Sequence, residues 1–328
     1  MRVRLFGCPV AILVLACGAA YAQQSASSGI IGQVTDASKS SVPGATVTVI
    51  NVGTNAQRSA TTDSEGRFSV PNLPPAVYEI KVELSGFRTV DVKDFELRQG
   101  EIARPAIMLE VATLAETVTV TSQAPLLQTQ SASVSQTITQ KQIEELPVAG
   151  RNLLSLAALT PGVTPQAFTR GTQFGAANSS RSQYVTVEGG RDSSTNYAID
   201  GVYVRSLRFN NISLNPPLDV VQEVTVLRNS FSTEYGQGQA VVSIITKSGT
   251  NALAGSAYEF LRNDTLNSKN YFDTTKPPYR RNQYGATAGG PIVRNRFFVF
   301  GGYEGLRTNQ GRTFFANVPS PALLSGDF

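Results

Sequence analysis

The sequence predicts a mainly β protein: a small β-sandwich, then a mixed α/β unit, then long strands with a transmembrane pattern. Twenty-eight glycines, seventeen prolines and many Ser, Thr, Asn and Gln residues favour short strands and turns over helices. Alternating strands with turn residues about every ten residues make up the first part of the chain. Longer alternating segments with aromatic residues near their ends follow at the C-terminus.

The N-terminus has the pattern of a secretory signal peptide, residues 1–22. Two arginines precede an apolar run over residues 5–16, and Ala20-Tyr21-Ala22 supplies an A-x-A cleavage site. A lipoprotein signal that uses Cys17 is the alternative. Cleavage after Ala22 would remove both Cys17 and Cys8, which are the two cysteines of the chain, so we expect no disulfide in the mature protein.

Residues 29–110 predict the sandwich. In the strand AVYEIKVEL, apolar residues that should face a core alternate with Val77, Glu79, Lys81 and Glu83. The core-facing residues are Tyr78, Ile80, Val82 and Leu84.

Residues 114–251 predict the mixed unit. LAETVTVTS is a Thr/Val strand, and Thr139 with Gln142 forms a capping box that starts the short helix QKQIEEL before Pro147 stops it. RNLLSLAAL is a second short helix, and the strands NYAIDGVYV, EVTVLRN and AVVSIIT follow. By itself this pattern indicates only a globular α/β domain.

Residues 252–328 have the pattern of transmembrane β-strands. In QYGATAGG, small and aromatic residues alternate with polar residues and glycines, so one side suits lipid and the other a polar lumen. The lipid side would carry Tyr284, Ala286 and Ala288, and the lumen side Gln283, Gly285, Thr287 and Gly289. A strand of a soluble sandwich is the alternative that periodicity alone leaves open.

The composition argues against several functions. The 28 basic and 24 acidic residues are spread along the chain without a basic patch, so nucleic acid is not an implied partner. The chain has no histidine, which removes Ser-His-Asp and Cys-His catalysis and imidazole metal ligands. Lys247-Ser248-Gly249 matches one element of a serine penicillin-binding site, but S-x-x-K and S-D-N are missing. We interpret the triplet as a turn, and we predict no enzyme activity, cofactor or metal site.

Two resemblances make the interpretation specific. GQVTDASKSSVPGATVTVINVGT followed by TTDSEGRFSVPNLPPAVYEIKVELSGF resembles the carboxypeptidase regulatory-like domain, a transthyretin-like β-sandwich. The whole order is similar to a TonB-dependent outer-membrane receptor of the Oar-like type: this sandwich, LAETVTVTSQAPLL, QIEELPVAGRNLLSLAALTPGV, NYAIDGVYV and EYGQGQAVVSIITKSGTNALAGSAYEFLRND. The resemblance implies that residues 114–251 are an α+β plug domain and that residues 252–328 begin an outer-membrane β-barrel.

The resemblance also implies a function. Such receptors import ligands across the Gram-negative outer membrane with energy from TonB of the inner membrane, which makes TonB, outer-membrane lipid and a small ligand, glycan or peptide the expected partners. The sandwich would lie in the periplasm. Residues 252–328 supply too few strands for a closed barrel, so the sequence is expected to be a fragment or a truncated product. The alternative is a periplasmic or cell-surface module that binds carbohydrate or protein without transport.

The resemblance assigns candidate site residues. The candidate TonB box has an acidic start, a β-branched run and a small polar end, although a structural strand or a linker would have the same pattern. It comprises Glu116, Thr117, Val118, Thr119, Val120, Thr121 and Ser122. The plug–barrel junction comprises Lys247, Ser248, Gly249, Thr250 and Asn251.

Other candidates lie in plug motifs and in a surface loop. Arg151, Asn152 and Arg191 would either pair with acids of the barrel wall or cap their own loops. Asp200-Gly201 is a turn or, as a second possibility, a ligand contact. The loop aromatics would touch ligand or be solvated; they are Tyr271, Phe272 and Tyr279.

Overall fold

A computed structural model describes most of the chain after the predicted signal peptide. The described residues are 28–111, 117–121, 134–146, 148, 151–166, 184–191, 194–206, 212–228, 238–269, 271, 276–311 and 326. The predicted signal peptide, Glu116, Ser122, Pro147 and Phe272 lie outside them. No helix among the described residues is long and apolar enough to cross a membrane.

Residues 28–111 form the sandwich domain, which contains two sheets. Its strands are β1 Ser28–Asp36, β2 Thr46–Asn51, β3 Gln57–Thr61, β4 Arg67–Leu73, β5 Ala76–Glu83, β6 Thr89–Leu97, β7 Ile102–Ala103 and β8 Ala106–Leu109. One sheet has the order β4-β1-β7, with β8 parallel to β1. The other has the order β3-β2-β5-β6 and continues into a fifth strand, β9 Thr117–Thr121.

The core of the sandwich domain lies between these sheets. The predicted alternation of β5 is confirmed, because Tyr78, Ile80 and Val82 are buried while Val77 and Glu83 are exposed. Phe95 and Leu97 of the neighbouring β6 and Phe68 of the opposite sheet belong to the same cluster. Burial of this apolar surface, at about 25 cal/mol per Å², is the main contribution to the stability of the domain.

Residues 134–246 form the middle domain. Its central sheet has the order β10-β15-β16-β13-β14, a pair β11-β12 lies apart, and two short helices pack on the sheet. The bounds are β10 Val134–Ile138, α1 Gln140–Glu145, α2 Leu153–Ala157, β11 Val163–Gln166, β12 Tyr184–Val187, β13 Thr195–Ile199, β14 Val202–Tyr203, β15 Val221–Arg228 and β16 Ala240–Thr246.

Both helices begin where their N-terminal sequences indicate. The capping box is confirmed, because Gln142 Oε1 accepts a hydrogen bond from the Thr139 amide at 3.0 Å. At α2, Asn152 Oδ1 accepts from the Leu154 amide at 3.1 Å. The buried Ile143 of α1 and Leu154 of α2 belong to the same core as the valines of β15 and β16.

Residues 254–310 form the C-terminal sheet, an antiparallel meander of three long strands. These are β17 Ala254–Asn263, β18 Tyr279–Val293 and β19 Phe297–Gln310. Residues 264–278 connect β17 to β18, and the short turn 294–296 connects β18 to β19. Within the described residues the sheet stays open and does not close into a barrel.

The two faces of the C-terminal sheet differ. Residues that pair with each other on neighbouring strands lie on the same face of a sheet. The inward face, towards the middle domain, includes Tyr258, Gly285 and Glu304, and the Tyr258 hydroxyl donates to Glu304 Oε2 at 2.9 Å. The outward face is solvent-exposed or half-exposed. It is largely apolar, but Glu259 interrupts it and polar residues, among them Asn282 and Arg307, occupy it next to the connection between β17 and β18. Its apolar members include Leu261, Tyr284, Ala286, Ala288, Val299 and Tyr303.

Candidate functional site

The candidate site is the set of contacts through which the sandwich domain, the middle domain and the C-terminal sheet hold one another. The candidate TonB box precedes the middle domain, and the plug–barrel junction follows it. The plug-motif candidates lie on the middle domain between them.

Most of the candidate TonB box forms a strand. Residues 117–121 are β9, which pairs in parallel with β6 of the sandwich domain, from Thr89 opposite Thr117 to Lys93 opposite Thr121. β9 is therefore an edge strand of the five-stranded sheet. Sequence reasoning offered a strand as one interpretation of this segment, but it did not predict that the strand belongs to the sandwich.

Arg151 joins the middle domain to the inward face of the C-terminal sheet. Its guanidinium forms an ion pair with Asp219 of the middle domain and is three-quarters or more buried there. The central carbon of this guanidinium lies 4.8 Å from the ring centroid of Tyr258 and 4.4 Å from that of Phe260. A guanidinium above two ring faces is a cation–π arrangement. Arg151 thus contacts aromatic residues of the C-terminal sheet, whereas its acid partner, Asp219, belongs to its own domain.

The other plug-motif candidates serve local structure. Asn152 caps α2, as described above. Arg191 is exposed, and its carbonyl oxygen accepts from the Ser194 amide at 3.0 Å. Asp200 and Gly201 form the turn between β13 and β14, both with positive φ.

The turn at Asp200 is tied to the last strand of the middle domain. Asp200 Oδ1 accepts from the Thr246 amide at 2.9 Å, and Oδ2 accepts from the Thr246 hydroxyl at 2.7 Å. Both carboxylate oxygens therefore hold the end of β16, immediately before the junction.

The junction, residues 247–251, is fixed by all three parts of the molecule. Lys247 Nζ lies 3.0 Å from Glu144 Oε1 of α1. Hydrogen bonds from Gln140 and then from Lys247 hold the pKa of Glu144 below its ordinary value. Ser248 is exposed, and Thr250 packs beside Gly53 of the sandwich domain.

Gly249 and Asn251 make the closest contacts of the junction. A Cβ atom at residue 249 would lie 2.5 Å from the carbonyl oxygen of Val299 and 2.9 Å from that of Gly290, so only glycine fits against these two barrel-type strands. The Asn251 amide donates to the carbonyl of Gly53 at 2.8 Å, and its side chain donates to Asn295 Oδ1, also at 2.8 Å.

The sandwich domain also contacts the turn 294–296 and the middle domain directly. Asn55 Nδ2 donates to Asn295 Oδ1 at 3.1 Å. On the middle domain, the buried Glu223 of β15 accepts from the Gln99 amide at 3.0 Å, and Gln222 Nε2 donates to the Pro75 carbonyl at 3.2 Å. Burial raises the pKa of Glu223 from 4.5 to about 7, since removal from water disfavours the carboxylate.

Tyr271 and Tyr279 lie at the other end of the C-terminal sheet. Tyr271 is 88% exposed in the connection between β17 and β18. Tyr279 begins β18, and the guanidinium carbon of Arg262 lies 5.1 Å from its ring centroid.

Sequence reasoning missed several residues of these contacts. Gln99 and Asn295 lie in turns and Asp219 lies in a short 3-10 helix, and no local pattern distinguishes them. Glu223 offered a signal, because it is the acidic residue of the otherwise apolar and uncharged run EVTVL. A charge in a strand that should be buried on both faces indicates a partner across an interface.

Family models match the three parts of the chain in order. The carboxypeptidase regulatory-like domain matches residues 29–110, the TonB-dependent receptor plug domain matches residues 127–241, and the outer membrane beta barrel domain matches residues 245–328. The TonB-dependent transporter Oar of Myxococcus xanthus is a curated relative, 28% identical over 316 residues. That match covers 90% of this chain, and the chain spans 28% of the length of the relative.

Two solved structures overlap parts of the chain. The siderophore receptor PirA from Acinetobacter baumannii is 24% identical, covers 52% of this chain and 24% of its own, and has a TM-score of 0.37. Catechol 1,2-dioxygenase from Pseudomonas arvilla C-1 is 17% identical, covers 27% of this chain and 54% of its own, and has a TM-score of 0.23. Overlaps at these scores do not indicate a shared activity.

The three domain matches define part of a plug-and-barrel receptor of the outer membrane. The middle domain matches the plug domain of TonB-dependent receptors, and the C-terminal sheet matches an outer-membrane β-barrel domain. With its regulatory-like sandwich in front of these domains, the chain is similar to Oar-like TonB-dependent receptors. The predicted fold class is confirmed: a sandwich, a plug and the first strands of an outer-membrane barrel. The plug and barrel domains and the curated relative belong to transporters and receptors, not to enzymes.

Proposed function

We propose that this chain acts in energy-coupled ligand uptake across the outer membrane, with the middle domain gating a barrel that begins with the C-terminal sheet. The observation that carries the proposal is the position of the middle domain. It lies on the inward face of a sheet whose outward face is largely apolar, and Arg151 and Gly249 fix it there. A plugged lumen on one side and lipid on the other would require this arrangement.

The sandwich domain lies in the periplasm in this proposal. Outer-membrane barrels have short periplasmic turns and longer extracellular loops. The turn 294–296 is short, and the connection over residues 264–278 at the opposite end is long. Asn55 of the sandwich domain contacts Asn295 in the short turn. This contact supports a sandwich below the membrane. In this orientation the exposed Tyr271 would lie at the outside, where it would meet a ligand.

TonB is the proposed energy source, and residues 116–122 are the proposed handle. An outer membrane has no ATP or ion gradient of its own, so uptake through a plugged barrel needs mechanical work from the inner membrane. An extended segment that adds a strand to a partner's sheet through backbone hydrogen bonds provides such a handle. The β-branched run over residues 117–121 already has the extended conformation that this requires.

Deletion of residues 116–122 from the full-length protein tests the proposal. Cells with and without the gene are first compared for uptake of labelled ferric siderophores, cobalamin, glycans and peptides, which identifies the transported compound. We expect the deletion to abolish uptake of that compound and to leave its binding to the cell surface intact. Thr119→Pro should have the same effect because it removes a backbone donor, whereas the matched Thr119→Val should retain uptake. Unchanged uptake after the deletion would remove the assignment of the box.

A further inference from the structure

The two edges of the five-stranded sheet of the sandwich domain differ in how they are protected. At one edge, β3 has the polar sequence QRSAT, and its Arg58 is exposed. At the other edge, β9 has the sequence TVTVT, without charge, proline or glycine. Within the described residues, no strand pairs with the outer side of β9. Natural sheets usually protect an edge with charges, proline or bulges, and an unprotected β-branched edge is a template for a strand from another chain.

β9 is also held firmly on its inner side. It pairs with β6 over five positions, from Thr89 opposite Thr117 to Lys93 opposite Thr121. Just before it, Val111 forms an antiparallel bridge with Phe87, two residues before β6 begins. The short connection between Val111 and Thr117 therefore keeps β9 at a high local concentration beside β6.

We infer that the sandwich domain presents residues 117–121 as a pre-ordered edge strand, and that the partner strand of TonB adds to its outer side without displacing it from β6. This inference rests on the proposed function, which makes TonB the partner of the box. A strand has two hydrogen-bonding edges, and pairing with β6 uses one of them. The sandwich domain and TonB would then share one continuous sheet.

Pre-ordering has a consequence for affinity. A free extended segment must lose the conformational entropy of each residue when it becomes a strand, whereas β9 has already lost it. If TonB instead took the segment away from β6, only the detached fraction would be competent to bind, and the apparent affinity would fall by that fraction. The two routes predict opposite effects of locking β9 to β6.

A disulfide lock distinguishes the routes. Asp91 and Thr119 are partners in register, and neighbouring strands lie about 4.8 Å apart, which a disulfide can span. The double variant Asp91→Cys with Thr119→Cys should form this disulfide in the full-length protein under mild oxidation. The matched control is Asp91→Cys with Thr117→Cys, whose positions are two residues out of register and beyond the usual reach of a disulfide.

The probe is the purified C-terminal domain of TonB from the same organism, and binding is measured for oxidised and reduced protein. We expect the oxidised lock to bind as tightly as the reduced form or more tightly. A loss of tenfold or more on oxidation, with recovery on reduction, would overturn the inference, because the box would then have to leave β6. Failure of the in-register pair to crosslink more readily than the control pair would also overturn it.

Hydrogen exchange in the unmodified protein gives a second readout. On addition of the TonB domain, the amides of residues 89–93 in β6 should keep their protection while those of β9 gain protection. Exposure of the β6 amides would indicate displacement. The deletion of residues 116–122 separates this result from the proposed function. Equal TonB binding with and without the deletion would refute the box itself, whereas loss on deletion together with loss on locking would refute only the presentation by the sandwich.

Discussion

The sandwich domain and the C-terminal sheet are both built from alternating β-strands, but they bury them differently. In β5, every second residue lies in a core that the domain supplies itself. In β17, all ten residues are exposed or half-exposed, and Arg151 of the middle domain covers the inward Tyr258. The same period therefore yields a self-sufficient domain in one region and, in the other, a sheet that needs a plug on one face and lipid on the other.

The two regions also contact the middle domain through different chemistry. The sandwich domain contacts it through the buried Glu223, whose pKa is raised by loss of water. The C-terminal sheet contacts it through a guanidinium over aromatic rings and through the backbone at Gly249. The first contact depends on protonation, whereas the second depends on shape. We therefore expect a change of pH to weaken the contact between the sandwich domain and the middle domain more than the contact between the C-terminal sheet and the middle domain.

The largest expected effect is a core truncation in the sandwich domain. Ile80→Ala removes a fully buried side chain and should lower the free energy of unfolding of this domain by about 2–5 kcal/mol. The matched Ile292→Ala, at a 60% exposed position of the C-terminal sheet, should change stability by less than about 0.5 kcal/mol. Hydrogen exchange during denaturant titration reports each region separately. Equal costs at the two sites would contradict the difference in burial.

A charge on an exposed strand position separates a water-facing surface from a lipid-facing one. Ala286 is exposed on the outward face near the middle of β18, and we expect Ala286→Arg to cost about 2–4 kcal/mol if lipid covers this position. Val77→Arg, on the exposed side of β5, should cost less than about 0.5 kcal/mol. The measurement is denaturant unfolding of the full-length protein in phospholipid vesicles. A negligible cost at residue 286 would favour a soluble sheet.

The docking of the sandwich domain on the middle domain should weaken as pH rises. The pKa of Glu223 is about 7 when docked and should return towards 4.5 when water reaches it, so the docked state binds the extra proton. Docking is strongest below pH 4.5 and is lost progressively as pH rises through 7. Between these limits we expect the docking equilibrium to change by roughly tenfold or more.

Hydrogen exchange at the Gln99 amide, corrected for the intrinsic rate at each pH, measures this docking equilibrium. Glu96, Arg98 and Glu101 are the other charged groups near Glu223, and burial also raises the pKa of Glu101. Glu223→Gln keeps an acceptor for Gln99 and removes only this titration, so its docking should be tight at both pH 5.5 and pH 7.5. If docking of Glu223→Gln changes with pH as it does in the unmodified protein, the pH dependence comes from the neighbouring charged groups and not from Glu223.

Much of the fold follows from local pattern, and the contacts between domains do not. The alternation of Tyr78, Ile80 and Val82 and the capping box at Thr139 are encoded within a few residues, so the sequence predicts them. The pairing of β9 with β6 and the contact of Gln99 with Glu223 join segments that are distant in the chain, and nothing near either segment specifies the partner. For Arg151 the sequence leaves open an acid of the barrel wall or a cap of its own loop; its acid partner is Asp219 of its own domain, and it contacts the C-terminal sheet through Tyr258 and Phe260.

The smallest expected effect tests the shape-dependent contact. Gly249→Ala places a Cβ within 3 Å of backbone atoms of Val299 and Gly290, which cannot move aside as a flexible side chain would. We expect this change to weaken the packing of the middle domain against the C-terminal sheet by about 1–3 kcal/mol. Gly301→Ala is the matched control, because a Cβ at residue 301 meets no atom within 4 Å. Proteolysis of the junction in the full-length protein should accelerate in the first variant and stay unchanged in the second. If both variants resist equally, the middle domain is held by the Arg151 cluster, and the junction only connects the two domains.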